Sequence, residues 1–520
     1  MPQYQSPSGS KKPIWYSVVL LLSLLLNGYL LLRPSDHGRL LGGDNRKGRM
    51  LISENRGWSR RAADEAEAVA AQYQCSGHGY VFVDTFLTDH NGSFVCECNP
   101  CYTGPDCSHL ISDCVVDANQ LVIEDLNLGP SMKDLNLGSS ICYNKFHCSN
   151  FLSNCAVDIN KLPIGDPTFL EPFWIANAEA GVTVVPAWYR MSYDVNNALE
   201  YSATSPELEK QIRALHEVVG NAVTKGRYIV LGTGSTQLIN AAVYSLSQAH
   251  ARNPSKVVAA IPYYGPYRYQ TEMFDSNDYV WKGDARVWVK KSGFLNSSTF
   301  IEFVTSPNNP DGLLKKGVLT SKNVKDIYDH AYYWPHYTGI PRPASEDIML
   351  FTLSKVTGHA GSRLGWAIVE DYDVYERMYD YVEENTLGVS HDTQLRTTIL
   401  LKAIVNDEKQ LLFHYAYSVM RNRWQRLEKI FSGSHRFSLQ SLEPRYCTFF
   451  KKVTGPSPAY AWVKCEKEEE TDCTGVLRKA GIIGRNASVF EADKRYVRLS
   501  LLKRDDNFAL LERRLQALVS

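Results

Sequence analysis

The sequence predicts a mixed α/β fold over residues 156–520. From about residue 160 onward, short apolar runs typical of buried strands alternate with segments of helical periodicity. This alternation indicates a sheet with crossover helices. Ahead of it lie a cluster of cysteines and a long apolar run, which predict a disulfide-rich module and an N-terminal transmembrane helix.

The composition describes an ordinary globular protein of more than one domain. The chain has 520 residues, 44% of them hydrophobic and 22% charged, so two or three units with ample core are expected. Its 56 basic and 56 acidic residues cancel to a formal net charge of zero. Without a basic excess, no nucleic-acid partner is expected.

The apolar run at residues 14–32 is long enough to cross a bilayer. At 1.5 Å per residue it spans about 28 Å, close to the hydrocarbon thickness of a membrane. Lys11 and Lys12 precede it, and no Ala-x-Ala cleavage site follows, so an uncleaved signal anchor with residues 1–13 in the cytosol is favoured over a cleaved signal peptide. Arg33 and Arg39 on the far side weaken this orientation. Residues 33–70 are rich in charge and glycine and indicate a solvated stalk.

Six of the twelve cysteines fall between Cys75 and Cys114. Such density predicts disulfides and an oxidising compartment, so the catalytic part should face the secretory lumen or the outside. Three Asn-x-Ser glycosylation triplets, at residues 91, 296 and 486, agree with that route. The Cys-x-Cys pair and the Tyr-Thr-Gly-x-x-Cys ending make residues 71–114 resemble an EGF-like module. A zinc site is the alternative, but the spacing matches no paired Cys-x-x-Cys knuckle, and no metal is expected.

Residues 115–155 contain a short repeat, Asp-Leu-Asn-Leu-Gly, at 125–129 and again at 134–138. A duplication and an error in the conceptual translation explain it equally well. We assign no function to this segment, which we treat as an insertion.

The α/β region has four clear strand candidates, at 227–231, 256–261, 300–304 and 348–352, and a helix candidate at 237–246. Ligands of such sheets bind at the C-terminal ends of the strands. The segments that carry polar, chemically useful side chains follow these strands directly.

The segment around Lys355 is the most informative of them. Hydroxyl side chains at Thr352 and Ser354 precede the lysine, a glycine-rich turn follows it, and Arg363 lies eight residues later. An amine can hold an aldehyde covalently, while a guanidinium and hydroxyls bind a phosphate. This pattern predicts pyridoxal 5′-phosphate (PLP) as the cofactor.

Three further segments carry side chains that suit the same cofactor. Ser235 and Thr236 begin a helix, a ready anion site, although both residues are also ordinary helix caps. Asn309 lies in a turn-forming segment and can aim at the phenolic oxygen of the cofactor. Asp329 can pair with the pyridine nitrogen, and Tyr332 can donate to the phenolic oxygen. The simpler interpretation of this last pair is a loop acid beside core aromatics.

Two other segments allow both a functional and a structural interpretation. Tyr267 or a neighbour in residues 262–267 can stack on the cofactor ring, or belong to the core. Residues 495–500 alternate like a strand, and an arginine there can form a bidentate contact with an amino-acid carboxylate or a surface salt bridge.

The order of these segments resembles fold-type I PLP enzymes, the aspartate aminotransferase superfamily, and this resemblance implies a large mixed α/β domain followed by a smaller C-terminal α/β domain. More closely, the chain resembles the plant alliinase family, which includes alliin lyases and tryptophan aminotransferase-related proteins. The likeness runs from about residue 70 to the end, EGF-like module included, and omits the anchor, the stalk and the insertion. The motifs that carry it lie at residues 161–168, 189–193, 217–222, 304–310, 332–337, 354–363 and 460–465.

The resemblance implies a role for each candidate residue. Lys355 would hold the cofactor and move the substrate proton, and Arg498, with Gly165 near it, would bind the substrate carboxylate. Tyr193 would reach the phosphate of a partner subunit, which implies a homodimer with shared active sites. Cys465 and Cys473 would form a disulfide. The remaining cofactor-binding residues would be Ser235, Thr236, Asn309, Asp329, Tyr332, Thr352, Ser354 and Arg363.

The resemblance leaves three hypotheses for the activity. The first is an aminotransferase acting on an aromatic amino acid such as tryptophan, with a 2-oxo acid as acceptor; the Gly-Thr-Gly-Ser-Thr sequence at 232–236 favours it. The second is a carbon–sulfur lyase that cleaves S-alkyl-L-cysteine sulfoxides, favoured by the cysteine-rich module, although Tyr189 replaces a histidine of the lyases. The third is an inactive, membrane-tethered binding protein.

Overall fold

The computed structural model describes residues 74–80, 96–98, 101–112, 114, 116–117, 165–183, 185, 190, 193, 202–247 and 253–519. The predicted transmembrane helix at 14–32, the stalk and most of the insertion lie outside these residues. Among the helices that are described, none is long and apolar enough to cross a membrane.

The described residues belong to two compact units, and the first contains part of the cysteine-rich module, within 74–98 and 104–108. A 3-10 helix, Gln74–Gly77, leads into β1, Gly79–Tyr80, which pairs antiparallel with β2, Glu97–Cys98. The disulfides Cys75–Cys96 and Cys98–Cys107 cross-link this unit. Cross-links of this kind stabilise units too small to bury a large core.

The second unit includes 101–103 and 109–519 and holds the α/β region. Its strands are β3 Tyr102–Thr103, β4 His109–Leu110, β5 Val116–Asp117, β6 Tyr228–Gly232, β7 Ser255–Ala259, β8 Tyr279–Asp284, β9 Phe300–Thr305, β10 Val324–Asp329, β11 Ile348–Thr352, β12 Gly365–Val369, β13 Phe437–Leu439, β14 Arg445–Cys447, β15 Lys452–Thr454, β16 Tyr460–Cys465, β17 Ile482–Ile483, β18 Arg485–Asn486 and β19 Tyr496–Ser500. Its helices are α1 Glu171–Ala176, α2 Pro206–Val219, α3 Gly234–Leu246, α4 Pro266–Met273, α5 Arg286–Val289, α6 Ser292–Ser297, α7 Leu353–Val356, α8 Tyr372–Thr386, α9 His391–Val405, α10 Leu411–Phe431, α11 Cys473–Lys479 and α12 Asp505–Val519, with 3-10 helices at Thr168–Leu170, Ala178–Gly181, Ala360–Ser362 and Ala487–Phe490.

A seven-stranded sheet forms the centre of this unit, in the order β6-β12-β11-β10-β9-β7-β8. Strand β12 is antiparallel to both of its neighbours, and all other pairs are parallel. Helices pack on both faces, so strands β11 and β12 are buried along their whole length and almost entirely apolar rather than alternating. In β11, Ile348 and Leu350 join one hydrophobic cluster, whereas Met349 and Phe351 join the other. The predicted mixed α/β fold is confirmed.

The parallel strands bring the polar segments to one edge of the sheet. Strands β9, β10 and β11 end at Thr305, Asp329 and Thr352; Asp329 pairs with Thr305 on one side and, on the other, with the residue two positions before the end of β11. Lys355 follows β11 within the short helix α7. Because the C-terminal ends of neighbouring parallel strands lie side by side, Asp329 and the lysine segment lie close together.

A smaller antiparallel sheet, in the order β13-β16-β19-β18, builds the C-terminal region. It supplies Tyr460 at the start of β16 and Arg498 within β19. The disulfide Cys465–Cys473 joins β16 to α11 and confirms the pairing that the family resemblance implied. A second disulfide of this unit, Cys101–Cys114, lies close to β5, which pairs with β17.

A buried histidine ties helix α2 to the sheet. His216 is fully buried; its Nδ1 lies 2.8 Å from Asn221 Oδ1 and its Nε2 lies 2.9 Å from Trp366 Nε1. An indole nitrogen only donates, so Nε2 accepts, Nδ1 carries the proton and the ring is neutral. Burial lowers the pKa of His216 to about 4.

This pKa makes the stability of the fold depend on pH. In the unfolded chain His216 takes up a proton near pH 6.5, whereas in the folded protein it does so only near pH 4. The contribution of neutral His216 to the free energy of unfolding is therefore complete above about pH 6.5 and is lost as the pH falls toward 4. At about pH 5 the loss is on the order of 2 kcal/mol. Urea denaturation at about pH 7 and pH 5 measures it. In His216→Asn this pH dependence should shrink, whereas in His435→Asn, at an exposed histidine, it should not. An equal pH dependence in His216→Asn and in the wild type would contradict the assignment.

Candidate active site

A cavity of about 930 Å³ opens at the C-terminal edge of the large sheet. Its walls combine side chains that are far apart in the sequence, from residue 165 to residue 498. All predicted site residues except Tyr193 line it, namely Gly165, Ser235, Thr236, Asn309, Asp329, Tyr332, Thr352, Ser354, Lys355, Arg363 and Arg498.

The main chain and the amine of Lys355 are both held in place. His336 Nε2 and Tyr337 Oη lie 3.3 Å and 3.2 Å from the Lys355 carbonyl oxygen, which helix α7 is too short to satisfy. The amine donates to the carbonyl oxygen of Gly165. Burial, with the nearby guanidinium groups of Arg498 and Arg363, lowers the pKa of Lys355 to about 8, against an opposing effect of Asp166. Near neutral pH, the fraction of this amine that is neutral and nucleophilic is therefore larger than the fraction for an exposed lysine.

Asp329, at the end of β10, is almost fully buried and keeps a fixed orientation. Tyr267 Oη donates to its Oδ2 at 2.7 Å, and the Ala331 amide donates to its Oδ1 at 3.0 Å. Burial raises the pKa of this carboxyl group, while these two hydrogen bonds oppose the rise. The carboxylate is therefore aimed into the cavity by its surroundings.

Of the two interpretations that its sequence context allowed, Tyr267 agrees with the structural one and belongs to the hydrophobic core. Its hydroxyl lies 2.6 Å from Thr305 Oγ1 in addition to its bond with Asp329, and its ring stacks on Phe303 at 4.2 Å. The tyrosine of the same segment that lines the cavity is Tyr264. Tyr267 lies in the first turn of helix α4, and its side chain is buried. The tyrosine-rich sequence alone did not reveal which tyrosine is buried and which lines the cavity.

Thr236 and Arg363 meet at the N-terminus of helix α3, where a phosphate can bind. Arg363 Nη2 lies 3.4 Å from Thr236 Oγ1, and Arg363 itself has a left-handed backbone with φ of 53°. Gly234 is required beside it: its φ is +71°, and a Cβ there would lie 2.4 Å from Arg363 Nη2. Thr352 ends strand β11, two strands from β6 in the sheet; it caps helix α7, and its hydroxyl lies 3.1 Å from that of Ser354. These hydroxyls and the guanidinium surround one part of the cavity wall.

Arg498 supplies a second guanidinium, which is 3% exposed. Its Nη1 donates to Asn309 Oδ1 at 2.8 Å, and its plane lies over the ring of Tyr460, 4.0 Å from the centroid. The buried Nε has no hydrogen-bond partner among the described residues. Because a buried unpaired donor is costly, an anion that binds in the cavity would satisfy it.

Three of the predicted contacts differ from the simplest expectation. Asn309 uses its Oδ1 for Arg498, which leaves its amide Nδ2 as the donor for a ligand. Tyr332 Oη lies 2.5 Å from Tyr460 Oη, a residue that the sequence placed in a motif but not in the site. Tyr193 does not line this cavity and is 69% exposed. The sequence also missed Asp166, which stands in no pattern with a chemical meaning of its own, whereas Tyr264 belongs to the segment 262–267 that was considered for ring stacking.

The residues present fit pyridoxal phosphate. The cavity offers an amine with a lowered pKa for an aldehyde, a buried carboxylate for a pyridinium, and hydroxyls with a guanidinium at a helix N-terminus for a phosphate. Arg498, whose buried Nε has no hydrogen-bond partner among the described residues, remains for the carboxylate of an amino acid.

Comparison with known proteins agrees with this fit. A family model described as Allinase matches residues 159–519, and the alliinase EGF-like domain matches residues 57–114. Tryptophan aminotransferase-related protein 3 of Arabidopsis thaliana is 46% identical over 463 residues, which cover 89% of this chain and 91% of that protein. Alliin lyase of Allium cepa is 42% identical over 472 residues, which cover 88% and 87%.

Among solved structures, Escherichia coli YbdL, which has a methionine aminotransferase function, is 15% identical to this chain. The match has a TM-score of 0.48 and covers 68% of this chain and 91% of YbdL, so the likeness is distant. The family match covers well over half of the chain, and both relatives align along nearly their whole length. The chain therefore belongs to the alliinase family, and its cofactor is pyridoxal 5′-phosphate.

Proposed function

We propose that this protein is an aminotransferase that moves the amino group of a tryptophan-like aromatic L-amino acid to a 2-oxo acid such as pyruvate. The observation that carries the proposal is the meeting of the Lys355 amine, the Asp329 carboxylate and the Arg498 guanidinium in one cavity. The Gly-Thr-Gly-Ser-Thr sequence at 232–236 supports the aminotransferase among the activities of the family.

When bound, pyridoxal phosphate supplies an aldehyde for the amino group of the substrate and a ring that withdraws electrons from its α-carbon. Arg363, with the hydroxyls of the α3 N-terminus and of Thr352 and Ser354, would bind the phosphate. Asp329 would hold a proton on the ring nitrogen, and Asn309 with Tyr332 would donate to the phenolic oxygen. Together these residues would fix the orientation of the cofactor ring.

Lys355 and Arg498 would act on the substrate. Arg498 binds the α-carboxylate, which orients the α-carbon toward the lysine. The Nζ of Lys355, with a pKa of about 8, can take the proton from that carbon and release it again as a general acid. Release of this proton to the aldehyde carbon of the cofactor instead of back to the α-carbon, without loss of a side-chain group, would correspond to transamination.

The second candidate is a carbon–sulfur lyase, which begins with the same loss of the α-proton and then expels a group from the β-carbon. Two observations favour it: the alliinase EGF-like domain at 57–114, and an identity to alliin lyases of 42%, close to the 46% for the aminotransferase-related protein. The difference between the two reactions depends on how the substrate side chain is held.

One pair of assays separates the candidates. The full chain, purified with added pyridoxal phosphate, is incubated with L-tryptophan plus pyruvate and, separately, with S-allyl-L-cysteine sulfoxide. We expect indole-3-pyruvate from the first mixture. Pyruvate and ammonia from the sulfoxide, without any indole-3-pyruvate from tryptophan, would contradict the aminotransferase and support the lyase. Turnover of neither substrate by protein that has bound the cofactor would favour the binding protein.

We also propose a homodimer in which Tyr193 reaches the phosphate site of the partner. Its exposure in the single chain supports this, because a tyrosine that is 69% exposed is free to contact a second copy. Tyr193→Phe is expected to weaken cofactor binding, measured by titration of the visible absorbance. An unchanged affinity would contradict the shared site.

We further propose that residues 14–32 anchor the chain in a membrane, with the catalytic part in the secretory lumen or outside the cell. The cysteine disulfides support this compartment. Protease protection of the catalytic part in sealed microsomes is the expected result. Its digestion without detergent would contradict the orientation.

A further inference from the structure

Tyr460 occupies the centre of the candidate site, between groups that serve different parts of the reaction. It is 3% exposed, lines the cavity and contacts both Arg498 and Tyr332. The inference drawn from it rests on the proposed function, in which Arg498 binds the substrate carboxylate and Tyr332 the phenolic oxygen of the cofactor.

The small C-terminal sheet fixes where the tyrosine lies. Tyr460 pairs with Ser500 on the antiparallel strand β19, and Gln440 Nε2 donates to its carbonyl oxygen at 3.0 Å. Arg498 is two residues from Ser500, so the side chains of Tyr460 and Arg498 emerge on the same face of the sheet. Their contact is therefore built into the register of two strands.

The ring of Tyr460 supports the guanidinium of Arg498. The guanidinium carbon lies 4.0 Å from the ring centroid, closer than its 5.2 Å to the ring of Phe490. Together with the hydrogen bond to Asn309 Oδ1, this contact sets the plane of the guanidinium. A fixed plane matters because a carboxylate binds two guanidinium nitrogens at once.

The hydroxyl of Tyr460 acts on a different neighbour. Its oxygen lies 2.5 Å from Tyr332 Oη, and the two rings are nearly perpendicular at 74°. Gly165 leaves the room for it, since a Cβ there would lie 2.3 Å from Tyr460 Oη. Burial raises the pKa of Tyr332, so its phenol remains protonated. If Tyr460 donates to Tyr332, the proton of Tyr332 is free to point at a ligand in the cavity.

We propose that Tyr460 is a positioning residue with two separable tasks: its ring holds Arg498 for the substrate carboxylate, and its hydroxyl orients the Tyr332 hydroxyl toward the phenolic oxygen of the cofactor. The tasks belong to different atoms of one side chain. Substitutions that remove one or both of them give different results.

Two substitutions test the proposal on the full chain with bound pyridoxal phosphate. Tyr460→Phe keeps the ring and removes the hydroxyl; Tyr460→Leu removes both. For Tyr460→Phe we expect a KM for the amino acid within about threefold of the wild type, with a shifted pH midpoint of the visible absorbance of the bound cofactor. For Tyr460→Leu we expect the same spectral change and a KM raised roughly tenfold or more, because the cation–π support is lost.

The matched control is Tyr279→Phe, which also removes one buried hydroxyl, 3.3 Å from Asn240 Oδ1, outside the cavity lining. It should leave the KM and the spectrum unchanged. The proposal is wrong if the pH midpoint of the absorbance of Tyr460→Phe equals that of the wild type. It is also wrong if the KM of Tyr460→Leu for the amino acid equals the wild-type KM. A wild-type protein that bound no cofactor would instead contradict the proposed function itself, and with it this inference. The thermal unfolding midpoints of all variants show whether Tyr460→Leu folds. If it does not fold, Tyr460→Phe still tests the hydroxyl, because it keeps the aromatic ring.

Discussion

Replacing Lys355 with alanine is expected to lower kcat by roughly 10⁴-fold or more, because one amine performs both covalent attachment of the cofactor and proton transfer. The buried position of the amine is what makes it fit for both tasks, since its pKa is lowered to about 8. The carbonyl of the same residue is held by His336 and Tyr337, so the main chain can keep its course without the side chain. The visible absorbance band of the holoprotein should disappear in the variant.

A second lysine provides the control for this loss. Lys256, on strand β7, also has a pKa lowered by burial, and its amine lies over the ring of Phe300. It does not line the cavity. Lys256→Ala should keep both the absorbance band and the turnover, measured by the tryptophan–pyruvate assay. Residual turnover of Lys355→Ala within tenfold of the wild type would show that another group moves the proton.

Replacing Asp329 with asparagine is expected to lower kcat/KM by roughly 10²- to 10³-fold, in line with about 2–5 kcal/mol for removing one partner of a buried charge pair. Asparagine has nearly the same shape and can still accept from Tyr267, but it carries no charge to hold a proton on the ring nitrogen of the cofactor. The loss should therefore appear mainly in kcat, with the cofactor still bound. Steady-state kinetics together with the absorbance spectrum measure both.

Asp326 offers a matched substitution on the same strand. Burial raises its pKa to about 6, as it raises that of Asp329, yet it lies outside the cavity lining. Asp326→Asn should leave kcat/KM within about twofold of the wild type. If the two asparagine variants had the same activity, the effect at position 329 would not come from its place beside the cofactor.

The local parts of the site could be predicted from the sequence because each is a short motif with its own chemistry. Thr352, Ser354, Lys355 and Arg363 lie within one strand–helix–turn segment, and all of them line the cavity. The strands at 227–231 and 348–352 were likewise evident from their apolar composition, which a sheet covered on both faces requires.

The contacts between distant segments could not be predicted. Arg498 and Asn309 are separated by 189 positions, and Tyr332 and Tyr460 by 128; only the assembly of two sheets brings them together. Tyr267 and Tyr264 differ by three positions in one tyrosine-rich segment, and only the course of helix α4 shows which of them lines the cavity. The pairing of the clustered cysteines also depends on the folded chain, since six cysteines allow many connectivities.

The identity of the lysine that holds the cofactor can be measured directly. The holoprotein is reduced with borohydride, which fixes the cofactor to the amine that holds it, then digested and analysed by peptide mass spectrometry. In the wild-type protein we expect the pyridoxyl group on the peptide that contains Lys355. In Lys355→Ala, which lacks this amine, we expect it on no peptide. A pyridoxyl group on a different lysine of the wild type, or none after reduction of protein saturated with the cofactor, would contradict the assignment of this cavity as the active site.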